Sequence, residues 1–170
     1  MNSPIKILCL LILANVLSAN FALADDITAK PKQNLRIIAL APHIVESLYA
    51  IGAGEQIIAT TAYADYPAAA KKLMVVGNYA RLQIEKIIQL NPDLIIAWKT
   101  GNPLDDLLRL EKYQLKVVYS NPQNLKDVAS ELLMLGELTG RTQQASILAE
   151  QYLTRLVSLQ QRYASQEKIK

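Results

Sequence analysis

A chain of 170 residues that is 51% hydrophobic and 19% charged, with a net charge of +3, has the composition of one globular domain, not of a disordered segment. Its 18 Lys and Arg stand against 15 Asp and Glu and form no basic stripe, which removes the electrostatic footing for nucleic-acid binding. A single Cys and a single His exclude a zinc finger, a disulfide framework, a Cys/His nucleophile pair and a metal site built from several imidazoles.

Residues 1–24 read as a cleavable secretory signal peptide: Lys6 near the start, an apolar run over 7–14, and Ala22-Leu23-Ala24 before Asp25. The run is far shorter than the roughly 18–20 residues of a spanning helix, so no membrane span is expected after cleavage. Cys9 lies inside the run and is expected to be lost with it. Residues 25–34, polar and interrupted by Lys30-Pro31-Lys32, read as a flexible leader, and the fold is expected to begin near Leu35.

Short aliphatic runs over 36–40, 57–61, 94–98 and 116–119 suit buried strands. Helical spacing over 44–51, 84–90 and 104–113 separates them, the last carrying Leu104, Leu107, Leu108 and Leu110. Strands alternating with helices predict an α/β fold with a parallel sheet. Gly52 and Gly54 end the first helix, Asn102-Pro103 is expected to cap the third, and Asn124 to cap a further helix that Gly140 stops. From 141 to about 164, Ala145, Leu148, Tyr152, Leu156, Leu159 and Tyr163 define one long helix whose apolar stripe is expected to be buried. At 1.5 Å per residue it spans roughly 36 Å, more than a small α/β layer needs, so it resembles a strut. A polar tail follows from 165.

The chemistry-bearing residues gather where strands end. Pro42 and His43 follow the first strand, at a helix start that offers free backbone N–H groups. Tyr63, Tyr66 and Pro67 follow the second, and Trp98 with Gly101 closes the third. Aromatic groups at three successive strand exits favour a cleft for a flat ligand. No nucleophile elbow, glycine-rich phosphate loop or metal-binding helix motif occurs. Asp65, Glu46 and His43 make no recognised catalytic set, so an enzyme is the weakest reading. Asp105-Asp106 reads as structural, since neighbours on a helix point apart.

In order, the strand followed by Ala41-Pro42-His43 and Glu46, then Tyr63-Ala64-Asp65-Tyr66-Pro67, Val76-Gly77-Asn78-Tyr79, Ile84-Glu85-Lys86-Ile87 and the run from Leu90 to Trp98 resemble the periplasmic cobalamin-binding proteins of ABC importers. These belong to a helical-backbone class that also carries haem and siderophores. The resemblance implies two α/β lobes joined by a long helix, with a corrinoid held between them as transported ligand and no covalently bound cofactor. On that basis 35–140 would be the N-terminal lobe of a class III periplasmic-binding domain and 141–170 the long linking helix and polar tail, with the second lobe absent. Pro42, His43, Tyr63, Tyr66, Pro67, Tyr79, Trp98 and Gly101 would line the ligand wall. Glu85 would dock against the permease in the inner membrane. Haem or an iron-siderophore remains the alternative cargo, and His43 is then a candidate axial ligand to iron.

Overall fold

The computed structural model describes residues 35–164. The signal peptide expected over 1–24, the leader expected over 25–34 and the polar tail from 165 fall outside the described residues. Five strands form the sheet: β1 (Ile37–Ala39), β2 (Ile57–Thr60), β3 (Met74–Val75), β4 (Leu94–Trp98) and β5 (Val117–Ser120). All pair in parallel, in the order β3-β2-β1-β4-β5. The helices are α1 (Pro42–Ala50), α2 (Ile84–Gln89), α3 (Leu104–Lys112), α4 (Asp127–Thr139) and α5 (Thr142–Tyr163).

Period-two alternation in the central strands builds two cores, one on each face of the sheet. Ile37 and Ala39 of β1 and Leu94 and Ile96 of β4 face one way, against Ile44, Val45 and Leu48 of α1, Leu132 and Leu135 of α4, and Ala145 and Ala149 of α5. Ile38, Ile95 and Ala97 face the other way, against Ile84 and Ile87 of α2 and Leu107 and Leu110 of α3. The result is a three-layer α/β/α arrangement of the kind expected from the sequence.

Four expectations need correction. A fifth strand, β3, was not foreseen: it is two residues long, lies at the sheet edge, and exposes both Met74 and Val75, so it carries no burial signature. Asn102 does not cap α3. Its amide instead accepts from the Trp98 N–H at 2.7 Å and donates to the Leu40 carbonyl at 2.8 Å, lacing the ends of β1 and β4 together. On α3 the buried face is Leu107 and Leu110, while Leu104 and Leu108 face solvent. Finally, the α5 stripe is buried only in its first half. Ala145 and Ala149 are covered, but Leu159 and Tyr163 are exposed, because α4 has 13 residues and α5 has 22. By helical rise α4 ends roughly 13 Å short of its partner.

Side-chain hydrogen bonds set the punctuation. The Arg36 guanidinium donates to the Leu90 and Asn91 carbonyls that α2 leaves open, and the Asp93 carboxylate accepts from the Arg36 N–H at 2.9 Å. Asn124 accepts from the Lys126 and Asp127 N–H groups just ahead of α4, and Gly140 closes that helix with φ of +71°. Asp106, the buried member of the acidic pair, accepts from the Leu82 N–H at 2.8 Å across the layer. Its replacement by Ala strands that buried donor, and the expected loss is about 1–3 kcal/mol, read as a lower urea midpoint with an unchanged slope.

Candidate functional site

The chain runs from β1 outward to β2 and β3 on one side, then returns to β4 and β5 on the other. The strand order therefore reverses between β1 and β4, and the carboxyl ends of those parallel strands flank the crevice where open α/β sheets bind ligands. His43, at the start of α1, and Trp98, the last residue of β4, meet there. Their ring centroids are 5.4 Å apart and the planes stand at 83°, an edge-on contact.

Trp98 is 38% exposed and held from two sides. Its carbonyl accepts from the N–H groups of Gly101 and Asn102, which turns the chain back so that Gly101 lies against the six-membered ring. A β-carbon at position 101 would stand 1.8 Å from Cε3 and 2.2 Å from Cζ3. Glycine is required here by the closeness of the indole.

The His43 imidazole is anchored from below. Nε2 is 3.2 Å from the Ser120 hydroxyl at the end of β5, and that hydroxyl donates to Oε1 of Glu131 on α4 at 2.5 Å. Glu131 and Ser120 are buried, and the Glu131 oxygen is also 3.8 Å from Nε2. Burial pulls the imidazole below its ordinary range, opposed by the carboxylates of Glu131 and then Glu46. Burial thereby favours the neutral imidazole, with Nε2 facing Ser120. Serine, histidine and glutamate stand close together, but not as a nucleophile with its base. The serine is 1% exposed, its proton goes to the acid, and acid and hydroxyl share one nitrogen. His43, Ser47, Trp98, Pro122, Val128 and Glu131 line a recess of about 190 Å³, too small for a whole macrocycle.

Three expected tyrosines are ranged along the same edge of the sheet. Tyr63 and Tyr66 follow β2 and are 77% and 68% exposed, with Pro67 leading into a 3-10 turn at Ala68–Lys72. Tyr79, 76% exposed, rides a turn after β3. Asn78 accepts there from the N–H groups of Ala80 and Arg81, which puts Tyr79 at the tip. The Ala62 N–H donates to the Gly77 carbonyl, tying the Tyr63 loop to that turn. Unlike the His43–Trp98 pair, these phenols stand apart as exposed side chains.

The periplasmic binding protein family matches residues 37–170. The chain belongs to this family. It is 44% identical over 128 residues to a vitamin B12-binding protein of Vibrio vulnificus, covering 75% of the chain and 47% of the relative. With a vitamin B12-binding protein of Photorhabdus laumondii the identity is 40% over 131 residues, covering 77% and 48%. The crystal structure of a periplasmic vitamin B12 binding protein of Vibrio cholerae superposes with a TM-score of 0.77 at 37% identity, over 82% of this chain and 54% of that one. A periplasmic haem binding protein of Pseudomonas aeruginosa gives 0.71 at 25%, over 77% and 47%. The chain spans about half the length of the curated relatives it matches, and its sheet with the long following helix is the class III periplasmic-binding half-fold.

Within the family frame, Glu85 lies in the first turn of α2, well exposed, with Arg109 of α3 3.4 Å from its carboxylate. Neighbouring Lys86 donates to the Val75 carbonyl on the edge strand. Ser120 and Glu131 were not foreseen as site residues. The signal for Glu131 was a charge falling in line with Val128 and Leu135 on the core-facing side of α4. Among the described residues no cluster of three or more His, Cys, Asp or Glu is placed to hold a metal ion, and no helix is long and apolar enough to cross a membrane.

Proposed function

We propose that residues 35–140 form one wall of a periplasmic cobalamin-binding site, with 141–170 as the linking helix and polar tail, and that the protein delivers its cargo to the permease of an ABC importer. The observation that carries this reading is the Trp98 indole, clamped between Gly101 and His43 at the sheet's switch point. The identity to vitamin B12-binding proteins supports it. A corrin is broad and mostly apolar with an amide fringe, and such a ligand is gripped by flat side chains and backbone groups. Tyr63, Tyr66, Pro67 and Tyr79 extend the wall away from Trp98, and Pro42 starts the helix that carries His43. Cobalamin is cargo in this reading, the role is binding and not catalysis, and the place of action is the periplasm.

Equilibrium dialysis against cobalamin and against haem, followed by the absorption spectrum of what is retained, tests the cargo. One wall cannot enclose both faces of a macrocycle, so retention of cobalamin is expected to be weak. It is expected to tighten when the remaining half of the Vibrio vulnificus relative is fused after Lys170. A retained haem spectrum without corrin bands overturns the reading in favour of haem.

Glu85 is assigned to the permease-facing surface. An exposed pair such as Glu85–Arg109 adds little to folding, whereas a rim charge acts on association rate and its salt dependence. Glu85→Ala in the two-lobed fusion is expected to leave melting temperature and cobalamin affinity unchanged and to slow capture by reconstituted transporter at low salt. A lowered melting temperature contradicts the assignment.

A further inference from the structure

The buried carboxylate of Glu131 sits one hydroxyl away from the ring that touches Trp98. We propose that Glu131 and Ser120 are positioning residues of the ligand wall: through His43 they fix the edge against which the Trp98 indole rests, and they couple that edge to protonation. The inference rests on the reading of Trp98 as ligand wall, but it concerns the empty protein.

The argument is geometric. His43 Nε2 has the Ser120 hydroxyl at 3.2 Å, and that hydroxyl is itself oriented by Glu131 at 2.5 Å. With its O–H committed to the carboxylate, Ser120 offers His43 a lone pair, so the neutral imidazole donates from Nε2. A ring tied at one nitrogen to strand β5, and through the Ser120 hydroxyl to helix α4, is restrained in its orientation, and the Trp98 ring plane stands at 83° to it. The groups facing His43 are the Ser120 hydroxyl from β5, the Glu131 carboxylate from α4, the Trp98 indole from β4, and Glu46 of its own helix. Protonation adds a charge 3.8 Å from Glu131 and lets Nε2 turn to the carboxylate directly. The indole then loses its neutral neighbour. Folded His43 takes its proton at lower pH than the unfolded chain does, so folding binds fewer protons in that window. Stability from this site is present at neutral pH and falls as pH drops through the ordinary imidazole range.

Trp98 is the chain's single tryptophan, so its emission reports this contact without a label. A protonated imidazole quenches an indole it touches. In the ligand-free chain, emission is expected to fall on acidification with a midpoint below about 6.5, the ordinary imidazole value. His43→Asn is expected to abolish that transition. Glu131→Gln keeps the hydrogen bond but removes the charge that favours imidazolium, and is expected to move the midpoint to lower pH. Glu131→Asp, with its carboxylate drawn back, is expected to fall between Gln and wild type. Ser120→Ala is expected to raise acrylamide quenching of Trp98 at pH 7, because His43 loses its anchor. An unshifted midpoint in both Glu131 variants, a transition that survives His43→Asn, or unchanged acrylamide quenching in Ser120→Ala overturns the proposal. Cobalamin is absent throughout, so failure here leaves the cargo reading standing, and failure of cobalamin dialysis leaves this network standing.

Discussion

Gly101→Ala is expected to remove detectable cobalamin binding while the protein melts as before. The β-carbon would enter the Trp98 ring at 1.8 Å, and His43 stands edge-on at 5.4 Å between centroids to limit how the indole turns away. The backbone at 101 is not in the left-handed region, so alanine is tolerated there by the chain itself and the cost falls on the indole. A buried or clamped tryptophan at a binding surface typically contributes about 2 kcal/mol or more, a factor of roughly 30 in affinity. Trp98→Ala is expected to give a similar loss. If Gly101→Ala binds as wild type does, the indole position is not what the ligand requires. If it lowers the melting temperature, the glycine serves the fold.

The second large effect is expected at Gly136, where α4 and α5 cross. A β-carbon at 136 would lie 2.4 Å from the β-carbon of Ala145 and 3.2 Å from the Arg141 carbonyl. Ala145 is fully buried, and backbone on the far side of the contact has no flexible end to move. Gly136→Val therefore forces the two helices apart, and overpacking of this kind costs about 1–3 kcal/mol or more. The expected readout is a lower urea midpoint. Because α4 carries Glu131, the Trp98 emission transition is also expected to broaden or shift. An unaltered midpoint would show that α5 is only loosely held along the lobe, against the burial of Ala145 and Ala149.

The central strands were legible because both neighbours and both faces are apolar: 94–98 appears as a continuous run since β4 lies between β1 and β5 and under helices on either side. β3 was not legible, because a two-residue edge strand pairs through backbone alone and leaves Met74 and Val75 in solvent. The site divides in the same way. His43, Tyr63, Tyr66 and Trp98 were readable as polar or aromatic groups placed just after apolar runs. Tyr79 entered only through family resemblance, since its position depends on the Asn78 turn. Asn-Pro has the local meaning of a cap, whereas the Asn102 amide is taken by a tertiary contact to Leu40. Glu131 and Asp106 were carboxylates on the core-facing sides of their helices, a local conflict that marks a polar partner across the layer.

The most direct test is the one indole N–H signal in a nitrogen-15 correlation spectrum of the chain, which belongs to Trp98. Diamagnetic cyanocobalamin, added in excess because one wall binds weakly, is expected to move that signal progressively, together with the backbone amides of Gly101 and Tyr79. In Gly101→Ala the same addition is expected to leave the indole signal nearly where it was. An indole signal indifferent to cyanocobalamin in the wild-type chain, with shifts confined to α5 or absent altogether, would contradict the assignment of this edge of the sheet as the corrin wall.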